Sequence, residues 1–189
     1  QQSPFQDEQD DNAILESKIF ENVFVPMAPS DAGLSLGQLL YCVHKELKIS
    51  TETIKKVGFS PFIGPSFKKS EVKKALTESR IKFSECKNPA KCAAKEISLG
   101  KIVGWFQGRA EYGPRSLGAR SILADPRNIQ SKVKVNQLLK KRDWFMPYAP
   151  SMLEEYQNEW LEFEVFSPYM QFALKILKKK IDKISYTAD

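Results

Sequence analysis

The sequence has 189 residues, 42% of them hydrophobic, and it carries 29 Lys and Arg against 23 Asp and Glu. This length suits one domain, or one domain and part of another, and the composition is typical of a globular protein. The net charge of +6 favours an anionic partner without choosing among nucleotide, phosphoester, nucleic acid and membrane surface. Because no apolar run approaches about 18 residues, the sequence predicts no transmembrane helix.

Cysteine and histidine are scarce. The three cysteines, Cys42, Cys86 and Cys92, lack the paired spacing of a zinc site, so reduced thiols in a cytoplasmic protein are the simplest interpretation. His44 is the only histidine, which argues against a His-based triad or a His-rich metal centre within this chain. It falls on or near the apolar face of a predicted helix, where we expect a partly buried packing residue. The acidic start at 1–12 is unlike a signal peptide and predicts a disordered or weakly ordered tail.

The next stretch predicts a strand, a helix and a linker. An apolar run at 20–27 indicates a short strand that ends at Pro26. Ser30 or Asp31 then caps a helix. The apolar face of this helix is expected to comprise Leu36, Leu39, Leu40, Val43 and Leu47. Prolines and glycines break the stretch 48–69, which predicts a linker and a boundary.

Residues 70–106 predict two helices and two strands. Ser70 opens a short helix, and 81–86 alternates like a strand. The inward face of that helix is expected to comprise Val72, Ala75 and Leu76. Pro89 suits the first position of the second helix and Gly100 its end. The apolar run 102–106 predicts a central strand.

The last third continues the alternation. Asn128 caps a predicted helix that runs to about Lys140, and 145–151 predicts an extended loop. A short helix is expected at 154–160 and a strand at 169–177. The terminal lysines, residues 178–180 and 183, are expected to be solvated. The alternation of helices and strands indicates the α/β class, with α+β as the alternative.

Residues 107–127, here called the arginine loop, concentrate most of the chemistry. The loop reads QGRAEYGPRSLGARSILADPR and contains four arginines and three glycines. Arginine forks match phosphate and carboxylate geometry, and glycine lets a backbone approach a ligand closely. Since a strand feeds the loop directly, phosphate binding is one interpretation, and a solvated basic loop is the other.

The loop matches neither common nucleotide motif. It has no Walker A pattern and no G-x-G-x-x-G pattern, so any nucleotide site is of another design. Several arginines in one loop suit a triphosphate or an acyl phosphate, where they stabilise charge on a transferring group. Glu111 and Asp125 could help to hold magnesium, although ion pairing with the arginines is the favoured role.

The arginine loop closely resembles the signature of O-carbamoyltransferases of the nodulation-protein-U type, which act on nodulation factors and antibiotics. The match is nearly continuous over residues 107–127. Three flanking segments, 25–41, 62–76 and 140–153, also resemble that family, and the resemblance covers about 20–189.

The resemblance implies a two-part enzyme. An actin/Hsp70-like part with a His-rich metal site, Fe²⁺ or similar, would move the carbamoyl group onto a hydroxyl acceptor. The other part, a twisted mixed sheet similar to threonylcarbamoyl-adenylate synthase, would use ATP, Mg²⁺ and carbamoyl phosphate to form carbamoyl-adenylate. On this basis 1–18 is a polar tail, 19–60 the end of the first part, and 61–189 a truncated second part.

The resemblance also implies roles for individual residues. Catalytic and phosphate contacts fall to Arg109, Arg115 and Arg120. Further nucleotide contacts fall to Ser121, Arg127, Lys141 and Arg142. Asp31 matches a metal ligand that needs upstream histidines.

Three departures from the family pattern limit the expected activity. The upstream histidines are absent, so Asp31 is not expected to hold a catalytic metal alone. The sequence ends at SYTAD, where the family continues with an arginine-bearing motif, so an impaired fragment is expected. Met146 stands where many members have arginine.

Two alternatives stay open beside the enzyme. An RNA-binding module is permitted by the net charge, although the arginines cluster with Gly and Pro instead of alternating with aromatics. The second alternative is a structural or regulatory remnant that binds its partner domain and has no enzymatic activity. The acceptor and the oligomeric state do not follow from this sequence.

Overall fold

Helices dominate the computed structural model, which describes residues 4–58, 60–181 and 183–184. The α-helices are α1 (Pro4–Ser17), α2 (Leu34–Lys45), α3 (Thr51–Val57), α4 (Lys69–Glu78), α5 (Pro89–Ser98), α6 (Ile129–Val133), α7 (Gln157–Trp160) and α8 (Lys178–Ile181). Short 3-10 turns precede α2 at Asp31–Gly33 and α7 at Glu154–Tyr156, and a π-helical turn, Lys134–Leu139, follows α6. The sheet of the described residues pairs β1 (Val103–Phe106) with β2 (Arg120–Leu123), antiparallel. This content is consistent with the α/β class.

The chain forms two compact units. Unit 1 comprises Gln1–Ser66, Gln107–Arg120 and Ser167–Ala173, and its buried apolar residues are Met27, Ala28, Ala110 and Ala119. Unit 2 comprises Phe67–Phe106, Ser121–Phe166 and Leu174–Asp189, and its buried apolar residues are Val135, Leu161 and Ile184. The two units do not test the predicted division at 18/19 and 60/61, which stays a prediction.

Capping residues that can be recognised in the sequence define the best-predicted helices. The Asn88 side chain accepts a hydrogen bond from the Lys91 backbone N–H at 3.0 Å, and Pro89 occupies the first position of α5. The Asn128 side chain accepts from the Gln130 N–H at 2.9 Å at the start of α6. Both contacts satisfy backbone donors that the first turn of a helix leaves unpaired.

Replacing Asn88 with alanine is expected to lower the free energy of unfolding by about 1 kcal/mol, because α5 loses its capping acceptor. Ser30→Ala is the control, since the Ser30 side chain makes no capping hydrogen bond. Urea denaturation measures both variants. Equal effects of the two substitutions would contradict the capping role of Asn88.

Three predicted strands are wrong. Residues 20–27, 81–86 and 169–177 form no strand, apart from one isolated bridge between Leu161 and Ile176. Apolar alternation favours an extended backbone, but a strand also requires a partner that accepts its hydrogen bonds. The predicted central strand, β1, is confirmed as a strand. In the described part of the chain its only ladder partner is β2, and the predicted larger mixed sheet is not formed there.

Two segments are more helical than predicted. Residues 4–17 form α1 in place of a disordered tail, and no glycine or proline interrupts 5–17. In that helix the Asn12 amide donates to the Glu16 carboxylate at 3.0 Å, a pair one helical turn apart. The predicted linker 48–69 contains α3, whose first turn is capped by the Ser50 side chain.

The apolar faces of α2 and α4 are only partly covered. Leu36, Leu40 and Val43 of α2 are half-buried, as is His44, whose Nδ1 lies 3.0 Å from the Ile49 carbonyl oxygen. The partly buried packing role of His44 is therefore confirmed. Four further predicted inward residues are exposed instead: Leu39 in α2, Leu47 just after it, and Val72 and Ala75 in α4.

The thiols and the terminal lysines differ from expectation. Cys86 and Cys92 form a disulfide, which corrects the prediction of three reduced thiols, whereas Cys42 is free and exposed. Residues 86 and 92 lie on either side of the α5 cap, so the start of the helix brings the two together. Lys180 is half-buried rather than fully solvated, and its ammonium lies 4.6 Å from the Trp160 ring centroid.

None of the helices in the described residues has both the length and the apolar content that crossing a membrane requires.

Candidate anion-binding site

The first half of the arginine loop is closed at its base by hydrogen bonds within unit 1. The Gln107 backbone N–H donates to the Ala119 carbonyl at 2.9 Å, and the Gln107 side-chain amide donates to the Gly118 carbonyl at 3.0 Å. β1 therefore enters the loop beside the point where β2 leaves it. Loops with adjacent ends pack on their own side chains, which gives them a defined conformation.

Glu111 organises this half of the loop from inside. Its side chain is fully buried, and Oε1 accepts backbone N–H hydrogen bonds from Leu117 at 2.9 Å, Ala119 at 2.7 Å and Arg120 at 3.0 Å. Burial by itself raises the pKa of Glu111, but these N–H donors outweigh it and lower that pKa to about 2. Convergent N–H groups of this kind form an anion-binding nest, and here the nest is occupied by the loop's own carboxylate.

The guanidinium of Arg120 completes the coordination of Glu111. Its Nε donates to Glu111 Oε2 at 3.1 Å, and its Nη2 donates to the Glu111 carbonyl at 2.7 Å. The side chain is half exposed, whereas its carboxylate partner is fully buried. The positive charge of Arg120 is therefore largely offset, and the favoured ion-pairing role of Glu111 is confirmed.

Arg109 is held by neutral acceptors. Its Nε donates to the Gly64 carbonyl at 2.9 Å and its Nη2 to the Ile63 carbonyl at 2.8 Å. The same segment is tied to the loop by the Gly64 N–H, which donates to the Ala110 carbonyl at 2.9 Å. These two hydrogen bonds fix the direction of the Arg109 guanidinium. Since backbone carbonyls carry no net charge, they do not cancel its positive charge.

The loop is also anchored beside Asp31. The Tyr112 hydroxyl donates to the Ala32 carbonyl, and Gly113 lies against the Met27 backbone with φ +99°. Asp31 itself is exposed at the start of a 3-10 turn. No group of three or more His, Cys, Asp or Glu in the described part of the chain is arranged to hold a metal ion.

The second half of the arginine loop lies in unit 2 and contains another ion pair. Arg127 donates through Nε to Asp125 Oδ1 at 2.9 Å and through Nη2 to Oδ2 at 2.6 Å. The side-chain hydrogen bond from Arg127 is the main cause that lowers the pKa of Asp125. The pairing role favoured for Asp125 is confirmed. Arg115, in unit 1, and Ser121 are half-buried, and each makes contacts of its own.

Arg142, in unit 2, is the second arginine held by neutral groups. Its Nε donates to Asn136 Oδ1 at 2.7 Å, its Nη2 lies 3.5 Å from the Pro147 carbonyl oxygen, and its guanidinium lies 4.7 Å from the Tyr148 ring centroid. The neighbouring Lys141 is exposed. The two members of the predicted basic pair thus differ, because only Arg142 is fixed by the protein.

Four arginines share one mode of attachment. Each uses the Nε and Nη2 edge to contact the described residues, and Nη1 makes no hydrogen bond within that part of the chain. These four are Arg109, Arg120, Arg127 and Arg142. The Nη1 end of a guanidinium can donate to an anion in pairs of hydrogen bonds. Charge then ranks them, because Arg120 and Arg127 are ion-paired whereas Arg109 and Arg142 are not.

Sequence reasoning missed the supports of these arginines. Ile63 and Gly64 lie in a stretch interpreted as a linker, and no local pattern connects them with Arg109. Asn136 is fully buried in unit 2, where the predicted helix shows an ordinary amphipathic pattern. A polar residue among the apolar positions of that helix is the one signal that could have drawn attention to it.

Comparison with known proteins gives the family. The model of the carbamoyltransferase C-terminus family matches residues 94–188. Nodulation protein NolNO of Sinorhizobium fredii is 39% identical over 88% of this chain and 25% of its own length. Nodulation protein NolO of Bradyrhizobium diazoefficiens is 36% identical over 88% of this chain and 31% of its own length. Nodulation protein U of Azorhizobium caulinodans is 30% identical over 92% of this chain and 29% of its own length. The chain thus spans about a quarter to a third of these relatives, and it belongs to the carbamoyltransferase C-terminus family.

Proposed function

We propose that this chain is the part of a carbamoyltransferase that binds ATP and carbamoyl phosphate and forms carbamoyl-adenylate. The observation that carries the proposal is Arg109, whose guanidinium is fixed by the Ile63 and Gly64 carbonyls with its charge uncompensated and its Nη1 end available. A fixed, uncompensated guanidinium binds a phosphate or carbamate oxygen without first having to be ordered. We expect Arg142 to act in the same way.

In the proposed reaction carbamoyl phosphate is hydrolysed to carbamate and phosphate, and a carbamate oxygen attacks the α-phosphorus of ATP. The bond to the β-phosphate bridging oxygen breaks, and pyrophosphate leaves. Negative charge accumulates on the phosphate oxygens, so positioned arginines lower the barrier by electrostatic stabilisation. Arg109 is the proposed donor to these oxygens in unit 1, with Arg115 as a further candidate. Within unit 2, Arg142 is separately proposed to contact an anion, with Ser121 and Lys141 as further candidates. Arg120 and Arg127 maintain the loop through their ion pairs.

The described residues do not offer a protein-bound metal centre. Glu111 accepts three backbone N–H groups and the Arg120 side chain, and Asp125 is engaged by Arg127. We therefore expect Mg²⁺ to arrive as its ATP complex. Asp31 stands alone, so no step is assigned to a metal at that position.

The rest of the reaction is proposed for the longer proteins that this chain resembles. The carbamoyl-adenylate would pass to an actin/Hsp70-like part, which transfers the carbamoyl group to a hydroxyl of a small molecule. In the longer proteins this part would complete a fold similar to threonylcarbamoyl-adenylate synthase, of which the described residues form a two-stranded sheet. Because the reaction consumes ATP, we place it in the cytoplasm.

Replacing Arg109 with alanine is expected to weaken binding of Mg–ATP or carbamoyl phosphate by at least about tenfold, because a charge-assisted hydrogen bond to the ligand is lost. Isothermal calorimetry measures both ligands, with micromolar affinity for Mg–ATP expected in the unmodified chain. Arg80→Ala is the matched control, since Arg80 is exposed and lies outside the arginine loop. Circular dichroism checks that both variants are folded.

Two results would contradict the proposal. One is equal ligand affinity in the Arg109→Ala and Arg80→Ala variants when both are folded. The other is salt-sensitive binding of tRNA by a chain that binds neither Mg–ATP nor carbamoyl phosphate. That second result would support the RNA-binding alternative, because counterion release makes such binding fall steeply with salt.

A further inference from the structure

Asn136 is the most completely buried large polar side chain in the described part of unit 2, with no exposed surface. Its amide nitrogen donates to the Trp144 carbonyl at 3.0 Å and to the Met146 carbonyl at 3.0 Å. Its amide oxygen accepts from Arg142 Nε at 2.7 Å and from the Tyr148 hydroxyl. An asparagine side chain has two donor hydrogens and two acceptor lone pairs, so every one of them is used.

One side chain therefore holds several points of the segment 142–148. Its backbone takes part as well, because the Arg142 N–H donates to the Asn136 carbonyl at 3.0 Å. The hydrogen bonds thus hold the backbone at Arg142, Trp144 and Met146 as well as the Arg142 guanidinium. The direction of the Arg142 side chain is consequently set by Asn136, with the Tyr148 ring packed against the guanidinium at 4.7 Å.

The helix itself is distorted where Asn136 lies. Residues Lys134–Leu139 form a π-helical turn, and the Lys140 N–H donates to the Val135 carbonyl five residues back at 2.9 Å. In this turn Asn136 is fully buried, while the apolar Leu138 is 70% exposed. A fold selected only for stability would bury the leucine and expose the amide. π-turns of this kind occur frequently at functional sites.

The neutrality of the amide matters for the chemistry. Asp125 and Glu111 hold their arginines with carboxylates, which cancel the positive charge. Asn136 also accepts a hydrogen bond from an arginine Nε, that of Arg142, but it adds no charge. We infer that Asn136 is a positioning residue, which fixes Arg142 so that its uncompensated Nη1 end binds an anionic group of the substrate. This inference rests on the proposed function for the identity of the anion.

The positioning contact can be tested without any ligand. In the full chain, the Arg142 side-chain Nε–H resonance of a ¹⁵N-labelled sample is expected to exchange slowly with water, because it is bonded to a buried oxygen. Asn136→Ala is expected to abolish that protection. Asn158→Ala, an exposed amide elsewhere in unit 2, is the control and should leave it intact. Fast exchange in the unmodified chain would overturn the contact.

The role in binding is tested by calorimetry with Mg–ATP and with carbamoyl phosphate. Asn136→Ala and Arg142→Ala are each expected to weaken the binding of one of these ligands by about tenfold. The double variant is expected to bind no more weakly than either single variant, because Asn136 acts through Arg142. If adding Asn136→Ala to the Arg142→Ala variant lowers the affinity further, the inference is overturned.

A second variant guards against misfolding of Asn136→Ala. Asn136→Asp keeps the acceptor for Arg142 but adds a negative charge, so the Nε–H protection is expected to persist while the affinity falls. Unchanged affinity would overturn the inference. If Arg109→Ala weakens binding and Arg142→Ala does not, the proposed function stands and this inference fails. If the unmodified chain binds neither ligand while the Nε–H stays protected, the proposed function fails and so does the binding role of Asn136.

Discussion

Glu111→Gln is expected to lower the free energy of unfolding by about 3 kcal/mol at neutral pH, one of the largest effects in the chain. The carboxylate accepts three backbone N–H groups and the Arg120 side chain with no exposure to solvent. Glutamine keeps one acceptor oxygen but turns an amide N–H₂ toward the Arg120 donor. The glutamine amide and the Arg120 Nε are then two donors facing each other without an acceptor, and the charge of Arg120 is no longer offset.

The same group predicts a dependence on pH. Because the pKa of Glu111 falls from 4.5 to about 2 in the folded chain, its contribution is fully present above pH 4.5 and is lost as the pH falls toward 2. The unmodified chain should therefore lose about 3 kcal/mol across this window beyond what the Glu111→Gln variant loses. Urea denaturation at several pH values measures the difference.

Glu155→Gln is the matched control for Glu111→Gln, since Glu155 is exposed in unit 2. Its free energy of unfolding should follow the unmodified chain at every pH. Parallel pH profiles for the unmodified chain and the Glu111→Gln variant would show that the nest does not bind the carboxylate as described.

Gly113→Ala is expected to cost a further large part of the stability, about 3 kcal/mol. The backbone at this position has φ +99°, which an L side chain rarely adopts, and an added Cβ would lie 2.7 Å from the Met27 backbone oxygen. A backbone oxygen moves only if its segment moves, so the loop and the Met27 segment would have to separate.

Gly118→Ala separates the two causes of that cost. Gly118 has almost the same φ, +98°, but an added Cβ there meets nothing within 4 Å. Its cost should therefore be the conformational part alone, about 1 to 2 kcal/mol. Thermal unfolding of both variants measures the difference. Equal losses at the two positions would mean that Gly113 does not pack against Met27.

The arginine loop shows how far local pattern can be followed. Its position after a strand, the pairing of Glu111 and Asp125 with arginines, and the family all follow from contiguous residues. The ranking of the arginines does not. Arg109 and Arg120 look equivalent in the sequence, yet one contacts carbonyls about 45 residues away in the chain and the other a buried carboxylate.

Sequence reasoning found the features that depend on a few neighbouring residues: Pro89 at the start of α5, the Asn128 cap of α6, the strand β1, the arginine loop and the family. Helix caps and turns are local hydrogen bonds, so a short pattern specifies them. Three features became known from the fold: which apolar segments lack a strand partner, the π-turn in the helix after Asn128, and which arginines are not ion-paired. These outcomes depend on acceptors distant in the chain, and on the requirement that every buried polar group, Asn136 above all, be satisfied.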